Sequence, residues 1–541
     1  MQKKSTEVLV IGGGVTGCGV LFDLAQRGFK ATLLERGALS MGTSGRFHGL
    51  LHSGGRYAVN DPDAAHECIV ENQILRKVMP HCIEDTGGMF VSTPDDPPEF
   101  ADEFYQACHK VSIPATEISI EEMLRREPLL NPKIRRVFTV PDASVETWDA
   151  CRSLVVSAAE HGAETLEFHE VTELLKEGNK VVGAVAINKV TGETVTITAD
   201  LIVSAVGAWG GRLAAMADCD VTVHAGKGTM IAMNYRMVNT VVNRCVHPSG
   251  SDGDIIVPIG TVAVIGTTSV RVDDPDNYPI EEWEVKLMME EGEKMVPSFR
   301  KFRALRAWAG VRPLYQEKGA ASDLRAVTRK YALLDHSPRD GVDNFVTITG
   351  GKWTTYRMMA EDTVDLVCKK LDTTRACRTA ETTLHNPHGE SKYHTLGSRL
   401  QKLETGEFDG QLICECEIVT RNQIEANLAT NDRHIINDLR RDLRVGMGPC
   451  QGGFCTYRVA GLMHKNKQLT TQQTNKALVD FLQERWKGMN TVLWGQHLRQ
   501  MQLDEGIYMG VLGLDKLPPG LSGIDEKRVA EVETEGYYEV S

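Results

Sequence analysis

The sequence predicts an α/β, Rossmann-type nucleotide-binding body carrying an inserted mixed-sheet (α+β) domain, followed by a small cysteine-bearing domain near the C-terminus. Three observations predict this. A glycine fingerprint, Gly12-Gly13-Gly14-Val15-Thr16-Gly17, stands between a strand pattern and a helix pattern. Alternating apolar runs such as Val262-Ala-Val-Ile-Gly266 recur through residues 220 to 350. Four cysteines, Cys414, Cys416, Cys450 and Cys455, gather far down the chain with glycines among them.

At the nucleotide end, Glu7 to Ile11 reads as a buried strand and the residues after Gly17 as an amphipathic helix to about Arg27. In the spacing Gly12-x-Gly14-x-x-Gly17, the first glycine makes the turn, the second lets a pyrophosphate approach the backbone, and the third packs helix on strand. The helix N-terminus then presents free N–H groups and the positive end of its dipole to the diphosphate, with Gly13, Val15 and Thr16 in the same turn. Ala31 to Leu34 is a second strand, and Glu35 at its tip is placed to accept hydrogen bonds from an adenosine ribose, with Arg36 beside it. The loop Gly42-Thr43-Ser44-Gly45-Arg46 suits a second set of pyrophosphate contacts in a flavoprotein. Asp200 to Val206 reads as a returning strand that ends on Gly207. Gly226-Lys-Gly228 lacks the third glycine, so FAD is expected with no pyridine-nucleotide domain, and the second electron carrier must be something else.

Between the flavin segments lie three stretches with polar residues in apolar or glycine-rich settings: His48-Gly-Leu-Leu-His52-Ser-Gly-Gly-Arg56-Tyr57; Trp308-Ala-Gly-Val-Arg312-Pro-Leu with Arg329 downstream; and Thr349-Gly350-Gly351-Lys352-Trp-Thr354-Thr355-Tyr356. If they converge, Arg56, Arg312, Arg329 and Lys352 form a cationic pocket for a small phosphorylated or carboxylated substrate, because guanidinium groups bind such anions bidentately. Taken singly, each arginine also reads as an ordinary salt-bridge residue. The helix opening after Gly351 is expected to aim its positive end at the flavin pyrimidine edge.

Four thiolates are the full ligand set of a small iron–sulfur cluster or of a structural zinc. Gly446, Gly448, Gly452 and Gly453 permit close backbone approach, so N–H groups can hydrogen-bond the sulfurs. A Cys-x-Cys bite is tight for zinc, so the iron–sulfur reading leads, with zinc and unrelated free thiols as alternatives. The other cysteines, among thirteen in 541 residues, are scattered singly, which is thiol usage of a reducing compartment. The formal charge of −13 argues against nucleic acid. The longest apolar run, about Ile255 to Gly266, is too short for a bilayer and contains Pro258, and no secretory signal is expected before the first strand. Any membrane connection is expected to run through a partner.

Gly12-Gly-Gly-x-x-Gly17, His52-x-Gly-x-Arg56-Tyr57, Gly310-Val-Arg312-Pro-Leu and Gly350-Gly-Lys352-x-Thr-Thr-Tyr-Arg357 together resemble the FAD-dependent glycerol-3-phosphate dehydrogenase family over about residues 5 to 515. The cysteine pattern is similar to the bacterioferritin-associated-ferredoxin type of [2Fe-2S] domain, as in the anaerobic branch of that family. The resemblance implies oxidation of sn-glycerol 3-phosphate to dihydroxyacetone phosphate. Electrons would leave through the cluster, a companion subunit of a catalytic heterodimer and a membrane-anchoring iron–sulfur subunit to menaquinone or another quinone, with FMN as a further cofactor in the assembled complex. It implies a place on the cytoplasmic face of the inner membrane, held there by partners. Family substrate roles fall on Arg56, Tyr57, Arg312, Arg329 and Lys352. Arg312 and Arg329 are assigned to the phosphate, and His52, then His48, is the candidate base. Trp353 departs from the smaller aliphatic residue of relatives.

The expected organisation is an oxidoreductase body over 1–380, with Rossmann segments at about 5–60, 150–215 and 340–370. A linker over 381–408, a [2Fe-2S] domain over 409–462 and a helical region over 463–541, a possible docking element, follow. Two other readings stay open: an amino-acid dehydrogenase of similar fold, since arginines bind carboxylates equally well, and an electron-transfer protein whose partner does the substrate chemistry.

Overall fold

The computed structural model describes residues 2–247, 254–316, 330–386, 393, 395–407, 410–430 and 435–516. The chain divides into two compact units, Met1–Thr395 and Leu396–Ser541.

The first unit is built on two sheets. In the eight-stranded sheet, Gln2–Ile11 is central, with Ala31–Leu34 parallel on one side and Thr194–Ser204 parallel on the other. Its last residues, Val8 to Ile11, are buried on both faces, as a continuous Val/Leu/Ile run in a parallel sheet must be. The helix Val15–Gln26 packs on this sheet together with Thr147–Glu160 and Tyr356–Lys370. Phe345–Gly350 returns parallel to the end of Thr194–Ser204, and Tyr331–Asp335 adds antiparallel to it. The strand carboxyl ends at Ile11, Leu34, Ser204 and Gly350 therefore meet along one edge, where ligands bind in open α/β sheets.

The nine-stranded sheet is the inserted domain. Its long pair, Val223–Met233 and Ala304–Tyr315, runs antiparallel with Gly228 opposite Gly310 and Gly226 opposite Arg312. The apolar runs Ile255–Ile259 and Val262–Gly266 form an antiparallel hairpin beside it, buried on both faces apart from Ile259. Helix Glu282–Met295 contacts Val223–Met233.

The second unit has a short hairpin, Leu412–Cys414 with Val419–Thr420, and several helices. A helix, Leu396–Glu404, forms where the sequence pattern reads as a linker. Residues from 409–462 and 463–541 share one core: Ile413, Val445 and Val459 pack with Leu478, Phe481 and Tyr508. The Phe481 ring lies so close to Gly446 and Gly452 that a β-carbon on either would sit 2.7 or 2.9 Å from it, and the Tyr508 hydroxyl donates to the Gly452 carbonyl at 3.0 Å. Among the described residues, no helix is long and apolar enough to cross a membrane.

Candidate functional site

A cavity of about 1450 Å³ opens in the first unit along the carboxyl edge of the eight-stranded sheet. One end is the glycine turn. Gly12 has φ +112°, and a β-carbon there would lie 2.6 Å from the Ala205 carbonyl oxygen, so only glycine fits. Gly12, Gly14, Val15 and Thr16 line the cavity. Gly17 sits behind the turn, where a β-carbon would strike the Gly12 carbonyl oxygen at 1.9 Å, and Gly13 backs on Glu35. The N–H of Val15 donates to Ser44 Oγ at 3.0 Å, which sets the Thr43–Ser44 loop over the helix start. Thr43 donates to the Val311 carbonyl at 2.5 Å. Gly207 and Gly351, each in the left-handed region at φ +57° and +71°, complete the wall.

Glu35 lines the cavity and accepts the backbone N–H groups of Gly13 at 2.7 Å and Gly37 at 2.8 Å. Burial raises its carboxyl pKa, and those two hydrogen bonds oppose the rise. Arg36 stacks on the Trp209 ring at 4.3 Å and pairs with Asp276 at 2.8 Å. Arg46 donates to the Tyr278 hydroxyl.

Toward the other end, the three polar stretches converge. His48, His52, Arg56, Tyr57, Arg312 and Lys352 all line the same cavity. The His52 ring is 5.5 Å from that of Tyr57 and 6.1 Å from that of His48, and Lys352 Nζ lies 5.3 Å over the Tyr57 ring. Thr354 is buried just behind, its Oγ1 accepting the His52 N–H at 3.1 Å. Arg329 lies outside the described residues.

Burial, then the charges of Arg312 and Arg56, push the His48 imidazole down to about 3, so this ring is neutral at every physiological pH. Its Nδ1 accepts the Leu50 N–H at 3.2 Å, which puts the ring proton on Nε2. Arg56 pairs with buried Asp254. The guanidinium of Arg312 donates to the Thr268 carbonyl through both terminal nitrogens at 3.2 Å, to the Lys227 carbonyl at 3.4 Å, and to the Thr267 hydroxyl. Gly228 leaves it room: a β-carbon there would lie 2.4 Å from Arg312 Nη2. Trp353 stacks on Phe47 with centroids 5.9 Å apart and donates from Nε1 to Thr147 Oγ1 at 2.9 Å, so its indole is held by the fold.

Sequence reasoning misses Asp254, Thr267 and Thr268. The last two follow the strand Val262–Gly266 as a Thr-Thr-Ser run, which is a usable cue; Asp254 pairs across 198 residues and leaves no local signal.

In the second unit the four cysteines come together as pairs. Cys414 shares a hydrogen bond with Cys455, and Cys416 with Cys450. Backbone N–H groups of Gly446 and Glu417 point at Cys414, and those of Gly452, Phe454 and Gly453 at Cys450. The hydrogen bond from Cys416 and these N–H groups pull the Cys450 thiol down to about 6 against the effect of burial. Cys414 and Cys455 are buried, while Cys416 and Cys450 are half-buried. Among the described residues, the group of ligand atoms that closes within 4.8 Å is Cys219, His336 and Asp340, not the quartet. A zinc tetrahedron would hold all four sulfurs about 3.8 Å apart. Two linked pairs can offer two sulfurs to each iron of a two-iron cluster. His336 is itself hydrogen-bonded on both nitrogens, to Asp340 and Thr347.

A family model for FAD dependent oxidoreductases (DAO) matches residues 7–366. The anaerobic glycerol-3-phosphate dehydrogenase of Escherichia coli (strain K12) has an A subunit that is 41% identical over 535 residues, covering 95% of this chain and 98% of the relative. The A1 subunit of the corresponding Haloferax volcanii enzyme is 42% identical, covering 96% and 92%. Among solved structures, the glycerol-3-phosphate dehydrogenase of Bacillus halodurans complexed with FAD superimposes with a TM-score of 0.57 at 21% identity, covering 98% of this chain and 94% of that one. The FAD-bound L-α-glycerophosphate oxidase of Mycoplasma pneumoniae gives 0.57 at 21% identity over 71% and 99%. These two carry the fold only.

Proposed function

This chain belongs to the FAD-dependent oxidoreductase family, alongside the catalogued A subunits of anaerobic glycerol-3-phosphate dehydrogenases, and from that membership we propose that it is the catalytic component of such a dehydrogenase. It oxidises sn-glycerol 3-phosphate to dihydroxyacetone phosphate and passes electrons through a [2Fe-2S] centre and partner subunits to membrane quinone. The observation that carries the reading is the one cavity lined by both a dinucleotide-binding glycine turn and the His52, Arg56, Tyr57, Arg312 and Lys352 cluster.

The glycine turn fits FAD because Gly12 and Gly14 leave the backbone bare where a diphosphate would rest. When bound, FAD supplies the hydride acceptor. The chain's own residues then have separable tasks. Arg312, and Arg329 by resemblance, hold the phosphate away from the reacting carbon, so remote binding energy serves orientation. The bonds Arg312 makes to backbone carbonyls are long, and a phosphate offers stronger charge-assisted ones. Lys352 and Tyr57 flank the alcohol, and Arg56 keeps a charge near it while tied to Asp254. His48 is neutral with its proton on Nε2, so it donates a hydrogen bond and accepts no proton there. That leaves His52 as the base for the C2 hydroxyl proton. The cysteine pairs fit a [2Fe-2S] cluster, which when bound takes electrons one at a time; the companion protein, membrane anchor, FMN and quinone belong to the same proposal.

In an anaerobic dye-reduction assay, glycerol 3-phosphate and not amino acids is expected to reduce the protein. In the same assay, His52→Ala is expected to lower kcat by about a hundredfold or more and to alter its pH profile. An unchanged profile would take His52 out of the mechanism, and amino-acid turnover would favour the other substrate class.

A further inference from the structure

We infer that Glu284, which lies outside the cavity, is the positioning residue that fixes Arg312 for the substrate anion; the inference rests on the reading of Arg312 given above. Glu284 stands in the first turn of the helix Glu282–Met295 and is fully buried. Its carboxylate is saturated with donors from three directions. Oε1 accepts from Thr229 Oγ1 and Thr268 Oγ1, both at 2.8 Å. Oε2 accepts from Lys227 Nζ at 2.7 Å and from the Glu281 N–H at 2.9 Å.

Two of these donors also hold the arginine. Lys227 and Thr268 are the two whose carbonyls accept from the Arg312 guanidinium, and Thr267 next door supplies the hydroxyl. Thr268 Oγ1 also accepts the Thr229 N–H at 3.0 Å, so this hydroxyl is fixed as donor to Glu284 and acceptor from the strand Val223–Met233. One carboxylate thereby clamps the side chains of the residues whose backbones cradle the arginine. Lys227 Nζ is anchored a second time on the Pro279 carbonyl at 2.7 Å. A buried ion pair is weak evidence for stability, since desolvation offsets attraction, and its better-attested use is to specify one geometry. Here the geometry specified is that of a cationic fork at the cavity wall, where small displacements of a substrate-holding group are costly.

Glu284→Gln keeps the shape but turns an NH2 group toward donors that need an acceptor. The expected result is a rise of about tenfold in both KM for glycerol 3-phosphate and the inhibition constant of inorganic phosphate, with kcat within about twofold of the parent and FAD content unchanged. If that variant does not fold, Thr268→Val, which replaces the hydroxyl by a methyl, should move both constants in the same direction, and Thr268→Ser, which keeps the hydroxyl, should leave them at the parent values. A folded, FAD-loaded Glu284→Gln or Thr268→Val protein with lowered thermal stability but unmoved KM and phosphate inhibition would overturn the inference. Arg312→Lys measured in parallel separates the failures. If it too leaves KM unmoved, the phosphate reading itself is wrong; if it alone raises KM, only the role of Glu284 is.

Discussion

Arg312→Ala is expected to raise KM for glycerol 3-phosphate by roughly a hundredfold or more while leaving FAD bound. A charge-assisted bidentate contact to a phosphate contributes about 3 kcal/mol, and each 1.4 kcal/mol or so is a factor of ten. Arg312 lines the cavity, and its site is built around it: Gly228 is bare to make room, and the Lys227 and Thr268 carbonyls hold the fork. The groups proposed to seat FAD, the glycine turn and the Thr43–Ser44 loop, do not include the Arg312 side chain, so the flavin spectrum should be that of the parent. Arg312→Lys keeps the charge without the fork and should fall between the two. Steady-state kinetics with glycerol 3-phosphate check this, and an unaltered KM in the alanine variant would sink the phosphate assignment.

Cys450→Ala is expected to abolish the proposed iron–sulfur centre without touching the flavin. Cys450 is paired with Cys416 and receives three backbone N–H groups from the Gly452–Phe454 turn. Such donors spread the negative charge of a sulfur-ligated centre. After anaerobic reconstitution, the parent should hold about two irons and two labile sulfides per chain, and the variant close to none. Glycerol 3-phosphate should still reduce a two-electron dye through the variant, while transfer to a one-electron acceptor should fall steeply. Equal iron content in parent and variant would remove the quartet from the electron path, and bound zinc in place of iron would make it structural.

The parts of the fold and site that are legible in the sequence are those with short-range physics. The strand–turn–helix–strand run to Glu35 is fixed by spacing within one supersecondary unit, and the sheet pairs Gln2–Ile11 with Ala31–Leu34 as that unit requires. The gathering of Arg56, Arg312 and Lys352 can be stated from sequence only as a condition, because nothing local says that Arg56 shares a cavity with residues so far along the chain. Their supports are invisible for the same reason. Asp254 and Glu284 read as ordinary acids until the fold brings Arg56 to the first and Lys227, on the long antiparallel pair, to the second. The helix Leu396–Glu404 reads as linker because its neighbours are polar and its apolar positions are few. The C-terminal helices are legible as helices, but their packing against the cysteine turns, Phe481 on Gly446 and Gly452, is a tertiary contact no periodicity announces.

The proposed mechanism turns on one chain taking electrons from glycerol 3-phosphate at a flavin and handing them to its own cysteine-held centre. The decisive experiment is an anaerobic titration of the FAD-loaded, iron-reconstituted chain with glycerol 3-phosphate, followed by absorbance and by low-temperature electron paramagnetic resonance. The flavin is expected to bleach, and a reduced [2Fe-2S] signal to grow as it does so, in the absence of any partner protein. A flavin that stays oxidised in excess substrate would contradict the mechanism.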